Sequence, residues 1–176
     1  SVAIGILGLA ALVIDVLTDG LGALDFSFIN SYPSRHPGES GIRAALFGTI
    51  WITLGTAAFA IPIGVATAIY LEEFAPDHWA TRLVQLNIAN LAGVPSIIYG
   101  ILGLALFVQA LSLDRSVLAG SLTMTLLILP IVIIVSQEAI KAVPNEFRDA
   151  AFALGANRWQ VVKMVVLPQA IPGIMS

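Results

Sequence analysis

Cysteine is absent from the 176 residues of the sequence, so the chain has no disulfide framework and no thiolate that could bind a metal or act as a nucleophile. Charged residues are scarce, at 11% of the chain against about 25% in a soluble domain. The net charge of −3 provides no basic face, which excludes nucleic acid as a partner. Catalytic signatures such as HExxH, GxxxxGK(S/T) and GxSxG are missing as well. The sequence therefore predicts a protein that is not an enzyme and that itself binds no metal or cofactor.

Hydrophobic side chains are abundant instead, at 58% of the residues, and the mean hydropathy is +0.94. With so few charges, the chain cannot build a surface that faces water on all sides, so most of its surface must face lipid or other apolar partners. The composition thus indicates a multi-pass integral membrane protein whose first partner is the lipid bilayer.

Apolar segments of membrane-spanning length are separated by Ser, Thr, Gly and Pro, which favours several helices over one hydrophobic mass. A helix needs about 20 residues to cross the hydrocarbon core. The expected fold is an all-α transmembrane bundle in a single domain over residues 1–176, which we interpret as truncated at both ends. A signal peptide is the less favoured interpretation of the first segment, because no basic stretch precedes it. The predicted spans are 2–17, 42–71, 83–111 and 117–138, with the start of a fifth at 159–176.

The distribution of basic residues gives a weak indication of orientation. If the loop 18–41 lies outside, the inside loops hold Arg82, Lys141, Arg148, Arg158 and Lys163, and the outside loops hold Arg35, Arg43 and Arg115. Because cytoplasmic loops carry an excess of Lys and Arg, this arrangement places the loop 141–160 in the cytoplasm.

Each complete predicted span after the first carries a proline near its middle, namely Pro62, Pro95 and Pro130. Proline removes a backbone hydrogen bond and kinks a helix, and broken backbone at membrane depth survives where protein or a water-filled cavity satisfies it. These three residues, with Ser96 and Tyr99, are our candidates for a gate or translocation path. Ordinary tolerance of proline in membrane helices is the alternative.

Small residues recur three or four positions apart in two spans, a spacing that lets neighbouring helices approach closely. The second span has Ala57, Ala60, Gly64 and Ala68, and the third has Gly93, Ser96, Gly100 and Gly103. Ionisable residues, by contrast, are not evident deep within the spans, and Asp15, Glu72, Glu73 and Glu138 are expected at span ends, in contact with water. Ion-coupled transporters usually keep such groups at membrane depth. An ion-coupled secondary transporter and a structural scaffold therefore stay as less favoured alternatives.

The loop 141–160 contains a second kind of pattern, a short amphipathic helix. Asn145 is the expected N-cap, Gly155 is the expected left-handed end, and the apolar residues at helical spacing are Phe147, Ala150, Ala151 and Leu154. A two-turn helix has no core of its own, so the pattern predicts docking into a groove of another protein. A helix lying at the membrane interface is the alternative.

This loop resembles the EAA loop of ABC-importer permeases of the MetI-like type, whose pattern is Glu-Ala-Ala, three residues, Gly, nine residues, Ile-x-Leu-Pro. Here Asp149 stands for Glu and Val165 for Ile, with all spacings kept. In that family the loop forms the coupling helix, which inserts into a cleft of the cytoplasmic ATPase. The resemblance assigns ATPase coupling to Asp149, Ala150, Ala151, Leu154, Gly155, Leu167 and Pro168.

The segment 90–100, Asn-Leu-Ala-Gly-Val-Pro-Ser-Ile-Ile-Tyr-Gly, resembles phosphate-importer permeases of the PstA and PstC type, and the segments 129–131 and 138–144 are more similar to the PstA type. The resemblance implies a phosphate importer in the inner membrane of a prokaryote. Its other components would be a PstC-like second permease subunit, an ATPase dimer that binds the ATP, and an external substrate-binding protein. Sulfate, molybdate or a related oxyanion is the alternative substrate.

Overall fold

The structure, a computed structural model, describes residues 2–22 and 24–175. These residues form helices joined by turns, and no β-strand occurs among them, which confirms the all-α fold. The helices are α1 (Val2–Leu21), α2 (Phe26–Asn30), α3 (Arg43–Ile69), α4 (Trp79–Ala92), α5 (Ser96–Gly103), α6 (Val117–Lys141), α7 (Asn145–Ala153), α8 (Arg158–Val161) and α9 (Leu167–Met175). Three π-helical turns extend them: Tyr70–Phe74 after α3, Leu104–Ala110 after α5 and Val162–Val166 after α8.

The chain divides into two compact units, Ser1–Trp51 and Ile52–Ser176. In the first unit α1 buries none of its residues, so few contacts tie it to the rest of that unit. The loop after α2 returns to that helix through hydrogen bonds from the Ile42 amide to the Phe28 carbonyl (2.9 Å) and from Gly41 to Tyr32 (3.2 Å).

Within the part of the chain that the structure describes, three helices are long and apolar enough to cross a membrane: Val2–Leu21, Arg43–Phe74 and Val117–Lys141. Because α1 extends to Leu21, Asp15 lies more than one turn inside the helix, not at its end as the sequence predicts. The predicted third span is divided into α4 and α5, which together could form a fourth crossing but are bent by 99°.

The bend lies at Gly93–Pro95, where the sequence predicts a kink. Pro95 disfavours helical backbone at the residue before it, and α5 begins only at Ser96. The Tyr99 hydroxyl donates to the Leu91 carbonyl (2.8 Å) and so ties the start of α5 to the end of α4. The other two prolines do not end their helices, since α3 continues through Pro62 and α6 through Pro130.

Helix α6 is the centre of the second unit and packs against α4, α5 and α9. Helix α3 also approaches α6 closely through small residues, as the sequence predicts: Ala60, Gly64 and Ala68 are buried, and a Cβ at Gly64 would meet the Val132 side chain. Hydroxyl groups add polar links between α3 and α6, from Thr56 Oγ1 to the Ser121 carbonyl (3.4 Å) and from Ser121 Oγ to the Ile52 carbonyl (3.3 Å).

The largest apolar cluster of the second unit lies where the ends of α3 and α6 meet α8 and α9. Its buried members are Ala68, Leu71, Ile88, Ile133, Ile140, Val143, Val161, Val166 and Ala170. Helix α7 lies directly against this cluster, so the helix that carries the EAA-like motif starts from a well-packed base.

Candidate functional site

Helix α7 follows the membrane-spanning helix α6 after a short turn. Its N-cap is Pro144, which makes no side-chain cap, so the prediction that Asn145 is the N-cap is wrong. Asn145 is the first helical residue, and its Oδ1 accepts a hydrogen bond from Arg148 Nη1 (3.2 Å). The side chain predicted to cap the helix instead helps to hold Arg148.

The C-terminal end of α7 forms a Schellman motif. Gly155 has a φ of +85°, in the left-handed region that favours glycine. The Gly155 amide donates to the Phe152 carbonyl (2.9 Å) and the Ala156 amide to the Ala151 carbonyl (3.1 Å), which satisfies carbonyls that a helix end leaves free. Gly155 therefore ends α7 at a defined residue and turns the chain towards α8.

The apolar residues of α7 differ in how far they are buried. Ala151 is partly buried and packs against the apolar cluster of its own chain. Phe147 and Leu154 are 51% and 89% exposed, and Phe152, which the sequence did not single out, is 44% exposed. Asp149 and Ala150 are exposed beside them. The outward surface of α7 thus combines Phe147, Leu154 and the Asp149 carboxylate, whereas Phe152 faces the depression that Arg148 and Glu73 line.

Arg148 holds the inner side of α7 through a group of hydrogen bonds that we call the Arg148 clamp. Its guanidinium donates to Glu73 Oε1 from Nη2 (3.0 Å) and Nε (3.2 Å) and to the Ile140 carbonyl (2.9 Å). Nη1 donates to the Val143 carbonyl as well as to Asn145. Only 14% of the Arg148 side chain and 15% of the Glu73 side chain are exposed. Removing one partner of a buried ion pair typically costs about 3–5 kcal/mol.

Glu72, the neighbour of Glu73, binds a different helix. Its Oε1 accepts a hydrogen bond from Gln137 Nε2 (2.8 Å) and lies 3.5 Å from Lys141 Nζ, both on α6. Lys141 also pairs with Glu138 at 3.3 Å. The expectation that Glu72 and Glu73 are simply solvated at a span end is therefore wrong, because both carboxylates are largely buried by partners from α6 and α7.

An open depression of about 480 Å³ lies beside these groups. It is lined by Glu72, Glu73, Ile140, Lys141, Asn145, Arg148, Phe152 and Arg158. Arg158 donates to the Glu73 carbonyl (3.3 Å), so α8 also contacts the π turn after α3. Sequence reasoning missed this cluster. The available signal was a pair of adjacent acids at the end of an apolar segment, with arginines in the loop that follows α6.

The remaining predicted residues lie elsewhere. Leu167 is partly buried and Pro168 exposed at the start of α9, just after the π turn Val162–Val166. Pro95 and Ser96 are exposed at the bend, whereas Tyr99 is buried there. Pro62 is exposed in α3 and Pro130 buried in α6, so these two prolines take no part in the bend.

Among residues 2–22 and 24–175, no group of three His, Asp or Glu side chains could hold a metal ion.

Comparison with known proteins agrees with these features. Residues 60–176 match the family described as binding-protein-dependent transport system inner membrane component. The chain is 33% identical over 183 aligned residues to the probable ABC transporter permease protein YqgI of Bacillus subtilis, which covers 99% of this chain and 62% of the relative. It is 37% identical over 137 residues to the phosphate transport system permease protein PstA 1 of Mycobacterium tuberculosis, covering 77% of this chain and 44% of the relative.

A third relative is the phosphate transport system permease protein PstA of Haemophilus influenzae, 33% identical over 177 residues, covering 100% of this chain and 62% of the relative. The chain therefore spans about half to three-fifths of the length of these relatives. The family match covers the bent helix pair, α6 and the whole of α7. With its all-α architecture and its EAA-like loop, the chain belongs to the family of binding-protein-dependent transport system inner membrane components, the permeases of ABC transporters.

Proposed function

We propose that this chain is the membrane-spanning part of a permease subunit that imports inorganic phosphate with energy from ATP hydrolysed on a partner protein. The observation that carries the proposal is α7, which presents Phe147 and Leu154 outward at the end of the membrane-spanning helices. Large exposed apolar residues grouped on a short helix indicate a surface that a protein partner covers. The PstA names of several relatives support phosphate as the substrate.

In this proposal the outward surface of α7 enters a groove of a cytoplasmic ATPase dimer, which binds the ATP. Asp149, Ala150 and Leu154 contact the groove, and Gly155 sets the direction in which the helix ends. Leu167 and Pro168 begin the helix that re-enters the membrane. Movement of the ATPases displaces α7 and, through it, the helices that open the path to one side or the other. The bend at Pro95, Ser96 and Tyr99 is the proposed gate region.

The family membership supports a proposal for the remaining components. A PstC-like second permease subunit completes the path, an external binding protein delivers the substrate, and the assembly lies in the inner membrane of a prokaryote. Many large apolar side chains of α1 and of the α4–α5 pair are exposed in the isolated chain, as expected of surfaces that lipid or a second subunit covers.

Transport by the reconstituted complex tests the substrate. We expect proteoliposomes that contain the full-length permease pair, the ATPases and the binding protein to accumulate labelled phosphate only when ATP is supplied. Excess sulfate or molybdate should not compete. Uptake driven by a proton gradient without ATP would contradict the proposal and favour an ion-coupled transporter, and competition by sulfate or molybdate would move the substrate to another oxyanion.

Cysteine labelling tests the orientation. Because the chain has no native cysteine, a single introduced thiol gives an unambiguous signal. We expect Ala153→Cys, exposed in α7, to react with a membrane-impermeant maleimide only in inside-out vesicles, and Gly38→Cys to react in intact cells. The opposite pattern would place α7 outside, where no ATPase could reach it.

A further inference from the structure

The Arg148 clamp connects α7 to two membrane-spanning helices at once. Glu73 belongs to the π turn that ends α3, the Ile140 carbonyl lies in the last turn of α6, and Val143 follows that helix directly. The Ile140 carbonyl also accepts from the Val143 amide (3.2 Å), and the cation of Arg148 adds a second bond there that the helix dipole favours. One guanidinium thus binds the end of α6, pairs with the end of α3 and belongs to α7.

Apolar contact alone would attach α7 weakly on this side. Its partly buried apolar residue is Ala151, which contributes a single methyl group to the apolar cluster. Arginine differs from lysine in presenting several donors in a rigid planar fork, so the direction of its bonds is fixed as well as their number. Because Arg148 and Glu73 are both largely buried, water screens their attraction little. The clamp is therefore a short, stiff connection.

We propose that Arg148 and Glu73 are positioning residues that transmit the displacement of α7 to the ends of α3 and α6. This inference rests on the proposed function, in which a partner ATPase moves α7. The ATPase touches the outer surface of α7, and the clamp on its inner side converts that movement into movement of two spans. Without the clamp, α7 still carries its docking surface, but it moves independently of the helices that it should drive.

The experiment measures uptake and ATP hydrolysis together in the reconstituted full complex, for Arg148→Gln, Arg148→Lys and Glu73→Gln. We expect the amount of phosphate taken up per ATP hydrolysed to fall about fivefold or more, within the range typical of coupling between sites. Arg148→Lys should not restore the ratio, because an ammonium cannot reach Glu73 and both carbonyls together. Glu73→Gln should be the mildest change, because it keeps an oxygen acceptor.

The matched control is Arg82→Lys with Asp77→Asn. Arg82 and Asp77 form the same kind of ion pair at 3.0 Å, but their side chains are 72% and 80% exposed. Exposed pairs contribute little, so the uptake-to-hydrolysis ratio of this variant should equal that of the unsubstituted complex.

A second readout does not depend on transport. Spin labels at Ala153→Cys in α7 and Ala66→Cys, an exposed position in α3, report the distance between the two helices. We expect one narrow distance distribution in the unsubstituted background and a broad one with Arg148→Gln. The proposal would be overturned if Arg148→Gln changed neither the distance distribution nor the amount of phosphate taken up per ATP hydrolysed. It would also be overturned if uptake and hydrolysis fell together, so that their ratio stayed constant. If the unsubstituted complex takes up no phosphate, the proposed substrate is wrong. The spin-label distances and the ATPase activity would still test whether the Arg148 clamp connects α7 to α3 and α6.

Discussion

Substitution Gly155→Val is expected to lower ATP-driven uptake by about tenfold or more, while the subunit still inserts into the membrane. The left-handed backbone at Gly155 costs an ordinary L-residue about 1–2 kcal/mol, and a β-branched side chain is worse still. A penalty of that size shifts an equilibrium by about 5–30-fold towards another helix end. Leu154, the residue directly before Gly155, would then point in another direction. Uptake, ATPase activity and copurification of the ATPase measure the effect.

The space around Gly155 makes the matched control informative. A Cβ at this position would meet no atom within 4 Å, so the expected effect of valine is conformational and not a collision. Asparagine adopts the left-handed region more readily than other non-glycine residues, and Gly155→Asn should therefore retain most of the uptake. Normal transport by Gly155→Val, with the ATPase attached, would contradict the assigned role of this helix end.

Ala151 provides a less clean test than the sequence alone indicates. The resemblance assigns Ala151 to ATPase coupling, so Ala151→Trp would be expected to probe the groove of the ATPase. In the structure Ala151 packs against the apolar cluster of its own chain, so a tryptophan would disturb that packing first. Leu154, at 89% exposure, is the better position for probing the partner groove.

Substitution Gly103→Ala is expected to destabilise the helix bundle, although alanine is normally the better helix former. An added Cβ would collide with the Thr123 side chain, including its Cβ at 2.8 Å, and Thr123 is held in place by its hydrogen bond to the Ala119 carbonyl (2.8 Å). Overpacking of this kind costs about 1–3 kcal/mol. We expect earlier thermal unfolding of the detergent-solubilised subunit and a reduced yield in membranes.

Gly100 is the control in the same helix. Nothing lies within 4 Å of a Cβ at this position, so Gly100→Ala should leave stability unchanged or raise it by up to about 1 kcal/mol. Adding Thr123→Gly to Gly103→Ala removes the colliding atoms and should recover part of the loss. Equal unfolding temperatures for Gly100→Ala and Gly103→Ala would refute the close α5–α6 contact.

Much of the fold could be predicted because it depends on local properties of the chain. Hydropathy and length indicate the membrane-spanning helices, and the spacing of Asp149, Gly155 and Pro168 predicts the helix α7 and its glycine end. The bend at Pro95 was predicted as a kink. Its angle of 99° was not predictable, because it depends on how α4 and α5 each pack against α6.

The attachment of α7 could not be predicted, since it joins residues far apart in the sequence. Glu73 and Arg148 are separated by 75 positions, and periodicity within one helix does not identify a partner in another. The same limitation explains why the sequence does not show which apolar residues of α7 are buried and which are exposed. Helical spacing places Ala151 near Phe147 and Leu154, but only the position of the apolar cluster determines which of them is buried.

The adjacency of Glu72 and Glu73 restricts how the sequence of α3 can vary in length. The two neighbouring residues bind different helices, Glu72 to α6 and Glu73 to α7. Inserting or deleting one residue in α3 would rotate everything after it by about 100° and shift it by about 1.5 Å, so both carboxylates would lose their partners in a single step. Insertions and deletions in related sequences should therefore accumulate in the loop between α2 and α3 and spare the stretch from Ile52 to Glu73. The length of that stretch is set by the polar contacts at its end as well as by the thickness of the bilayer.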